Sequence, residues 1–401
     1  MPIARLRRTA GPLGLLLALL LASPAWAQQT RIFREGDSWV KEITGTLSPA
    51  PVLRVDTAIG NISVETGGRE IRYTIRERSS RSTEQEARRA LSELRVRALR
   101  LGQVATVVAT WSDHGLVRRF SADFILQVPS DVGFIHVDTK GGSITVHDTA
   151  ARLDLGTMAG NISVHAVRSS VNAHTLGGTV KIASATGDLS VRSGGGDITI
   201  GDAGKHAEVY TSGGNIAISS LGSGYLQTGA GSVRVNHAGG DLVVRTAGGF
   251  VNLGDIEGKL SVEDGGGNIR LGSCRGHVTA MTNGGNIEMW KLYRGAQVQT
   301  GTGSITVQFL GGRGSFGESY LRTAAGDVVV YLNGETAATV HAVSEMASGR
   351  GIKSDFPQLR ITTQGGDFGP KTVYADGVLN GGGPELQVRT TIGQIEFRRA
   401  Q

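Results

Sequence analysis

The pair Gly-Gly recurs every eighteen residues through the middle of this 401-residue chain, and each time it opens the same short strand-like pattern. The pairs stand at Gly141-Gly142, Gly177-Gly178, Gly195-Gly196, Gly213-Gly214, Gly248-Gly249, Gly266-Gly267 and Gly284-Gly285. Gly160, Gly231 and Gly303 keep the step with Ala or Thr before them. One residue is missing between Gly214 and Gly231, which marks a trimmed corner. After the pair comes, as a rule, a polar residue and then two apolar residues spaced two apart, as in Asn161-Ile162-Ser163-Val164 and Asn268-Ile269-Arg270-Leu271. A fixed short period of this kind is the mark of a stacked, quasi-one-dimensional protein.

Nine residues after each pair a second, weaker corner appears, as in Gly187-Asp188-Leu189-Ser190-Val191 and Gly258-Lys259-Leu260-Ser261-Val262. Each rung therefore holds two strands. Side chains alternate along a strand, so Ile198 and Ile200 point one way and Thr199 the other. Parallel stacking would line Ile, Val and Leu into buried ladders. It would leave Thr145, Ser163, Lys181, Thr199, Arg234, Asn252, Arg270, Glu288 and Thr306 on wet surfaces. The glycines suit corners that must turn tightly and stack closely. Asn161, Asn215, Asn268 and Asn286 sit just after a corner, where an amide can bond its own turn or the next rung. The pattern predicts an all-β parallel β-solenoid of about ten eighteen-residue rungs, a rod roughly 50 Å long at roughly 4.8 Å per rung.

Arg5, Arg7 and Arg8, the apolar run Leu13 to Leu21 and Ala25-Trp26-Ala27 read as a secretory signal over residues 1–27, cleaved before Gln28. The run is too short to cross a bilayer, and nothing later is long and apolar enough to do so. The chain is expected in the periplasm or at the cell surface, without a transmembrane segment. Removing three Arg and no acid lowers the formal charge from +6 to +3. The remaining basic stretch, Arg69 to Arg100, is interleaved with Glu70, Glu77, Glu84, Glu86 and Glu93, as a solvated face is, and nucleic acid is not an expected partner.

Residues 28–140 read as an α+β capping region. Strand alternation appears at Ile71–Ile75, Val104–Val108 and Ala122–Val128, and a capping box at Ser82 or Thr83 opens a helix with Ala87, Ala90, Leu91 and Leu94 on one stripe. Residues 141–307 are the regular array. Residues 308–401, with Gly326-Asp327-Val328-Val329-Val330 and Gly393-Gln394-Ile395-Glu396-Phe397, read as irregular terminal rungs and a C-terminal cap. Cys274, the single cysteine, permits no internal disulfide; it reads as a free thiol at a corner, with intermolecular pairing as the sharper alternative.

The repeated Gly-x-Ile-x-Val strands, the Gln127-Val128-Pro129 step into the array, and Leu379-Asn380-Gly381-Gly382-Gly383 before a final Gly-x-Ile-x-Phe together resemble the DUF4097 family of bacterial putative adhesins. The resemblance spans about residues 40–398. It implies a β-solenoid on an exported bacterial protein and supplies no catalytic residues.

Few residues suggest chemistry. The array lacks the Gly-x-Asp step of calcium-binding β-rolls. His147 and His165 fall one rung apart without a third ligand, so no metal or other cofactor is expected. A polysaccharide-cleaving enzyme would need carboxylates grouped on one face, and the best sequence candidates are Glu263-Asp264 and Asp197 with Asp202. Met289-Trp290-Lys291-Leu292-Tyr293-Arg294 replaces small residues at one corner. Trp290, Lys291, Tyr293 and Arg294 there form a candidate surface for a sugar or a partner, the alternative being a clip against the terminal rungs. The expectation is a monomeric, non-enzymatic, adhesin-like binding or structural module whose partner is a polysaccharide or an envelope protein. The rival expectations are a carbohydrate-active enzyme on the same scaffold and an end-to-end polymer.

Overall fold

The computed structural model describes residues 28–112, 121–312, 314–347, 351–365 and 369–400, so the expected signal at 1–27 lies outside the described residues. The described chain is a parallel β-solenoid whose rungs climb in two series of paired strands. In the first series Ile162 lies beside Val180, Val180 beside Ile198 and Ile198 beside Ile216. In the second, Val171 lies beside Leu189 and Leu189 beside Ala207. All of these are buried. A third inward column at the corner between them runs Ile256, Cys274, Leu292, Phe309. Each buried Ile, Val or Leu contributes about 1.5–3 kcal/mol, and continuity of the columns makes the rod one core.

The corners explain the glycine period. Thr157 donates its hydroxyl to the carbonyl of Gly142 on the rung below at 2.9 Å and accepts the N–H of Gly160 at 3.1 Å. Thr175, Ser193, Thr211 and Thr228 repeat the bracket. The second glycine of each pair stacks on its counterpart so closely that a Cβ on Gly178 would lie 1.9 Å from the carbonyl oxygen of Gly160. The missing residue falls at the other corner: Ala203 pairs with Leu221 but His206 with Ser223, so Gly222 spans a shortened turn.

The parallel ladder starts before Gly141, where the double-glycine pattern had placed it. Strand Asn61–Thr66 pairs with Ile144–His147, Ile62 beside Ile144, and Val52–Ile59 pairs with Phe134–Gly141. The insertion that follows Thr66 separates this first rung from the array and hides its period. Its strands extend both series: Ser121–Val128 joins the first in parallel and Ile71–Ser79 follows antiparallel, while Val104–Trp111 and then Leu94–Leu101 extend the second. The helix runs Glu84–Leu91, with Thr83 as N-cap accepting from Glu86 N–H. Ala87 and Leu91 are buried as its stripe requires, but Leu94 lies past the C-cap Ser92 and opens a strand instead. Lys41 closes the helix end by donating to the carbonyls of Leu91 and Leu94 at 2.6 and 3.0 Å.

At the far end Val328–Leu332 and Ile395–Arg399 continue the first series, and Ser319–Ala325 and Glu385–Ile392 the second. An antiparallel hairpin, Arg360–Gln364 with Lys371–Leu379, follows strand Ala338–Ala347. No helix among the described residues is long and apolar enough to cross a membrane.

Candidate functional site

The residues around Trp290 project from the rod in different directions. A positive φ of 52° at Lys291 bulges the strand, so Leu292 still points inward while Trp290, Lys291, Tyr293 and Arg294 stay exposed. Trp290 packs against Tyr331, ring centroids 5.9 Å apart. Tyr293 lies at the corner under the Arg275 guanidinium at 5.5 Å, and Arg275 in turn binds Glu257 at 2.7 Å. One aromatic thus faces the terminal rungs and the other the rung below.

A second surface was not visible to the repeat pattern. On the outer face of the second series, Arg192 lies 5.3 Å from the Tyr210 ring, Tyr210 lies 5.5 Å from Tyr225, and Arg245 lies 5.7 Å from Tyr225 on the next rung. Arg245 also reaches Glu263 at 2.9 Å, and Tyr225 donates to Gln227 at 2.8 Å. The two tyrosines are fifteen residues apart, so the eighteen-residue step does not align them; a diagonal contact between neighbouring strands does. Beside this stack runs an open groove of ≈ 410 Å³ lined by Gln227, Arg245, Glu263, Asp264, Met281 and Asn283.

Three of the four carboxylates singled out in the sequence, Asp197, Glu263 and Asp264, have structural partners. Asp197 accepts the N–H of Asn215 at 2.7 Å. Glu263 is held by Arg245. Asp264 is 6% exposed, stands in the buried hydroxyl column, and accepts from Gly266 and Gly267 N–H. Its Oδ2 is buried without a hydrogen-bond partner. His147 and His165 stack at 4.2 Å, and no group of three or more metal-ligating side chains occurs among the described residues.

A tighter polar cluster lies on the first rungs of the second series. His136 Nδ1 meets Asp154 at 2.9 Å and its Nε2 lies 3.8 Å from Asp56, which also binds Arg54 at 2.7 Å. Asn172 donates to Asp154 at 2.7 Å. Gly156 has no side chain, and the His174 ring and Asp138 carboxylate both close over it. These residues come from both sides of the insertion, which hid their grouping. Cys274 is buried in the core column, and burial pushes its thiol up to about 11, so it does not stand at the surface for pairing with another chain.

No family model matches the chain, and no curated protein matches it. Among solved structures it is similar to a putative adhesin from Bacteroides fragilis at 13% identity, covering 73% of this chain and 96% of that one, with a TM-score of 0.27. A putative cell adhesion protein from Clostridium sporogenes aligns at 8% identity over 90% and 100% of the two chains, with a TM-score of 0.17. A putative lipid binding protein from Parabacteroides distasonis aligns at 12% identity over 74% and 97%, with a TM-score of 0.23. At these TM-scores the likeness assigns no function.

Proposed function

We propose that the chain is an exported, adhesin-like, non-enzymatic binding module of the bacterial envelope, periplasmic or on the cell surface, whose partner is a polysaccharide or an envelope protein. The observation that carries the reading is the stack Arg192–Tyr210–Tyr225–Arg245–Glu263 beside the open groove. It presents charged and amide groups already fixed by one another, so little side-chain entropy remains to be lost on binding a long partner. Trp290, Lys291, Tyr293 and Arg294 form a second candidate contact surface on the same reading. The chain acts as a monomer: its N-terminal edge strands, Gln29–Glu35 and Leu94–Leu101, carry Arg31, Arg34, Arg95, Arg97 and Arg100, which discourage edge-to-edge growth.

The His136 cluster favours a second reading, a carbohydrate-active enzyme, because it groups carboxylates and imidazoles on one face. Its members are already committed to one another. Both imidazole nitrogens of His136 face carboxylates, and Asp56 and Asp154 are engaged by Arg54, His136 and Asn172. A general base must keep an atom within reach of the substrate proton. The binding reading is therefore preferred.

A glycan array probed with the chain from Gln28, beside Tyr210→Ala/Tyr225→Ala and Trp290→Ala/Tyr293→Ala, tests the proposal. Saturable binding weakened by either double variant supports a module with a located surface. Absence of binding to glycans and to envelope protein extracts contradicts it.

A further inference from the structure

After most corner glycines of the array, one side-chain oxygen per rung accepts the backbone N–H of the rung above. Asn161 accepts from Thr179 at 2.9 Å, Asp197 from Asn215 at 2.7 Å, Asn215 from Ser232 at 2.9 Å, and Asn286 from Ser304 at 2.9 Å. Ser232 accepts the N–H of Phe250 at 3.2 Å, and there the ladder stops, because Phe250 has no oxygen to offer Asn268. It resumes where Asn268 accepts from Asn286 at 2.8 Å. Thr179 is the other break, but its hydroxyl binds back to Asn161. Only Phe250 gives up the hydrogen bond for an apolar ring.

That ring is 63% exposed. Trp290, Tyr293 and Tyr225 each have an aromatic or a guanidinium against them, whereas Phe250 has neither among the described residues. Two residues further on lies Asn252, whose sheet neighbours on the same outer face are Arg234 and Arg270. Arg270 is paired with Glu288 at 3.2 Å. Arg234 is exposed and has no carboxylate or hydrogen-bond partner among the described residues. A bare aromatic face beside an unneutralised guanidinium and an amide suits one class of ligand, an acidic pyranose. The apolar face of the sugar ring covers Phe250, its carboxylate takes the planar fork of Arg234, and its hydroxyls meet Asn252.

We infer that Phe250, Arg234 and Asn252 form a subsite for a uronic acid unit of an acidic polysaccharide. The inference rests on the binding-module reading and places a contact on the face opposite the tyrosine stack.

Calorimetric titration of the chain with oligogalacturonate, and with neutral dextran as the uncharged comparison, tests it. The variants are Phe250→Asn and Arg234→Gln. Phe250→Asn restores an acceptor for Asn268 N–H, so its unfolding midpoint should not fall, which separates loss of binding from loss of fold. Oligogalacturonate should bind saturably and more tightly than dextran. Each variant should weaken that binding at least about tenfold, since one lost anchor of this kind is worth on the order of 1.4 kcal/mol or more. Binding of oligogalacturonate unchanged in Phe250→Asn overturns the subsite while leaving the module reading in place. Equal affinity for dextran, or no effect of Arg234→Gln, overturns the acidic class. Absence of glycan binding by the unaltered chain overturns the subsite and the polysaccharide reading together.

Discussion

Thr175 donates its hydroxyl to the carbonyl oxygen of Gly160, fifteen residues earlier and one rung below, at 2.9 Å. The Thr175 hydroxyl oxygen itself accepts the N–H of Gly178 at 3.1 Å, so one buried hydroxyl ties two stacked corners together. Removing it leaves a donor and an acceptor in a buried corner without partners. Thr175→Val is expected to cost about 1–3 kcal/mol, read as a lower denaturant midpoint in urea unfolding.

Asp264 occupies this column without a hydroxyl to give to the equivalent carbonyl, that of Gly249, and its Oδ2 has no partner. Asp264→Thr should restore the bracket and remove a buried unpaired carboxylate oxygen. A gain of about 1–2 kcal/mol is expected at neutral pH, measured in the same unfolding series as Thr175→Val.

The two glycines of a pair have different duties. A Cβ on Gly178 would meet the backbone of Gly160 at 1.9 Å, while one on Gly195 would meet nothing within 4 Å. Gly178→Ala is expected to destabilise by on the order of 3 kcal/mol or to prevent folding, and Gly195→Ala to change stability by about 0.5 kcal/mol or less. Thermal unfolding of the two variants side by side makes the comparison.

The N-terminal insertion holds a strongly perturbed carboxyl. Glu77 is fully buried, accepts from Trp111 Nε1 at 3.1 Å, and lies across the strand pair from Lys41. Burial pushes its pKa from 4.5 to about 7, opposed by the Trp111 hydrogen bond and by Lys41. Burial also lowers Lys41. Because the folded value is raised, the folded state holds its proton where the unfolded chain has released it. The associated stability is fully present below about pH 4.5 and is lost as pH rises through 7, about 3 kcal/mol in all. Glu77→Gln keeps the acceptor for Trp111 without the charge. It should raise the midpoint at pH 8 and change it little at pH 4.5.

Cys274 gives a simple check on the core column. Its thiol is buried and its pKa is pushed up to about 11 by burial. A thiol-specific reagent at pH 8 should label the folded chain far more slowly than the urea-unfolded chain. Rapid labelling of the folded chain would place Cys274 outside the core.

The array was legible in the sequence because its period is carried by residues with one possible duty each: glycine where backbones touch, Ile and Val inward, Asn at the corner. The first rung was not read as one, although Gly60-Asn61-Ile62-Ser63-Val64 is identical to Gly160-Asn161-Ile162-Ser163-Val164. The insertion after Thr66 broke the spacing, and only the register Ile62 beside Ile144 reveals the connection. The same break concealed Asp56 and Asp154 as neighbours of His136. Trp290 and Tyr293 stood out by composition, but their partners Tyr331 and Arg275 depend on which rung stacks where. Tyr210 and Tyr225 meet across a diagonal that no fixed spacing reports.

The central claim, that this solenoid holds a ligand without altering it, is tested most directly by recovering a bound envelope polysaccharide after prolonged incubation and measuring its chain length and end groups. The account expects saturable retention with length and ends unchanged. Shortened chains or new reducing or unsaturated ends would contradict it and return attention to the cluster around His136.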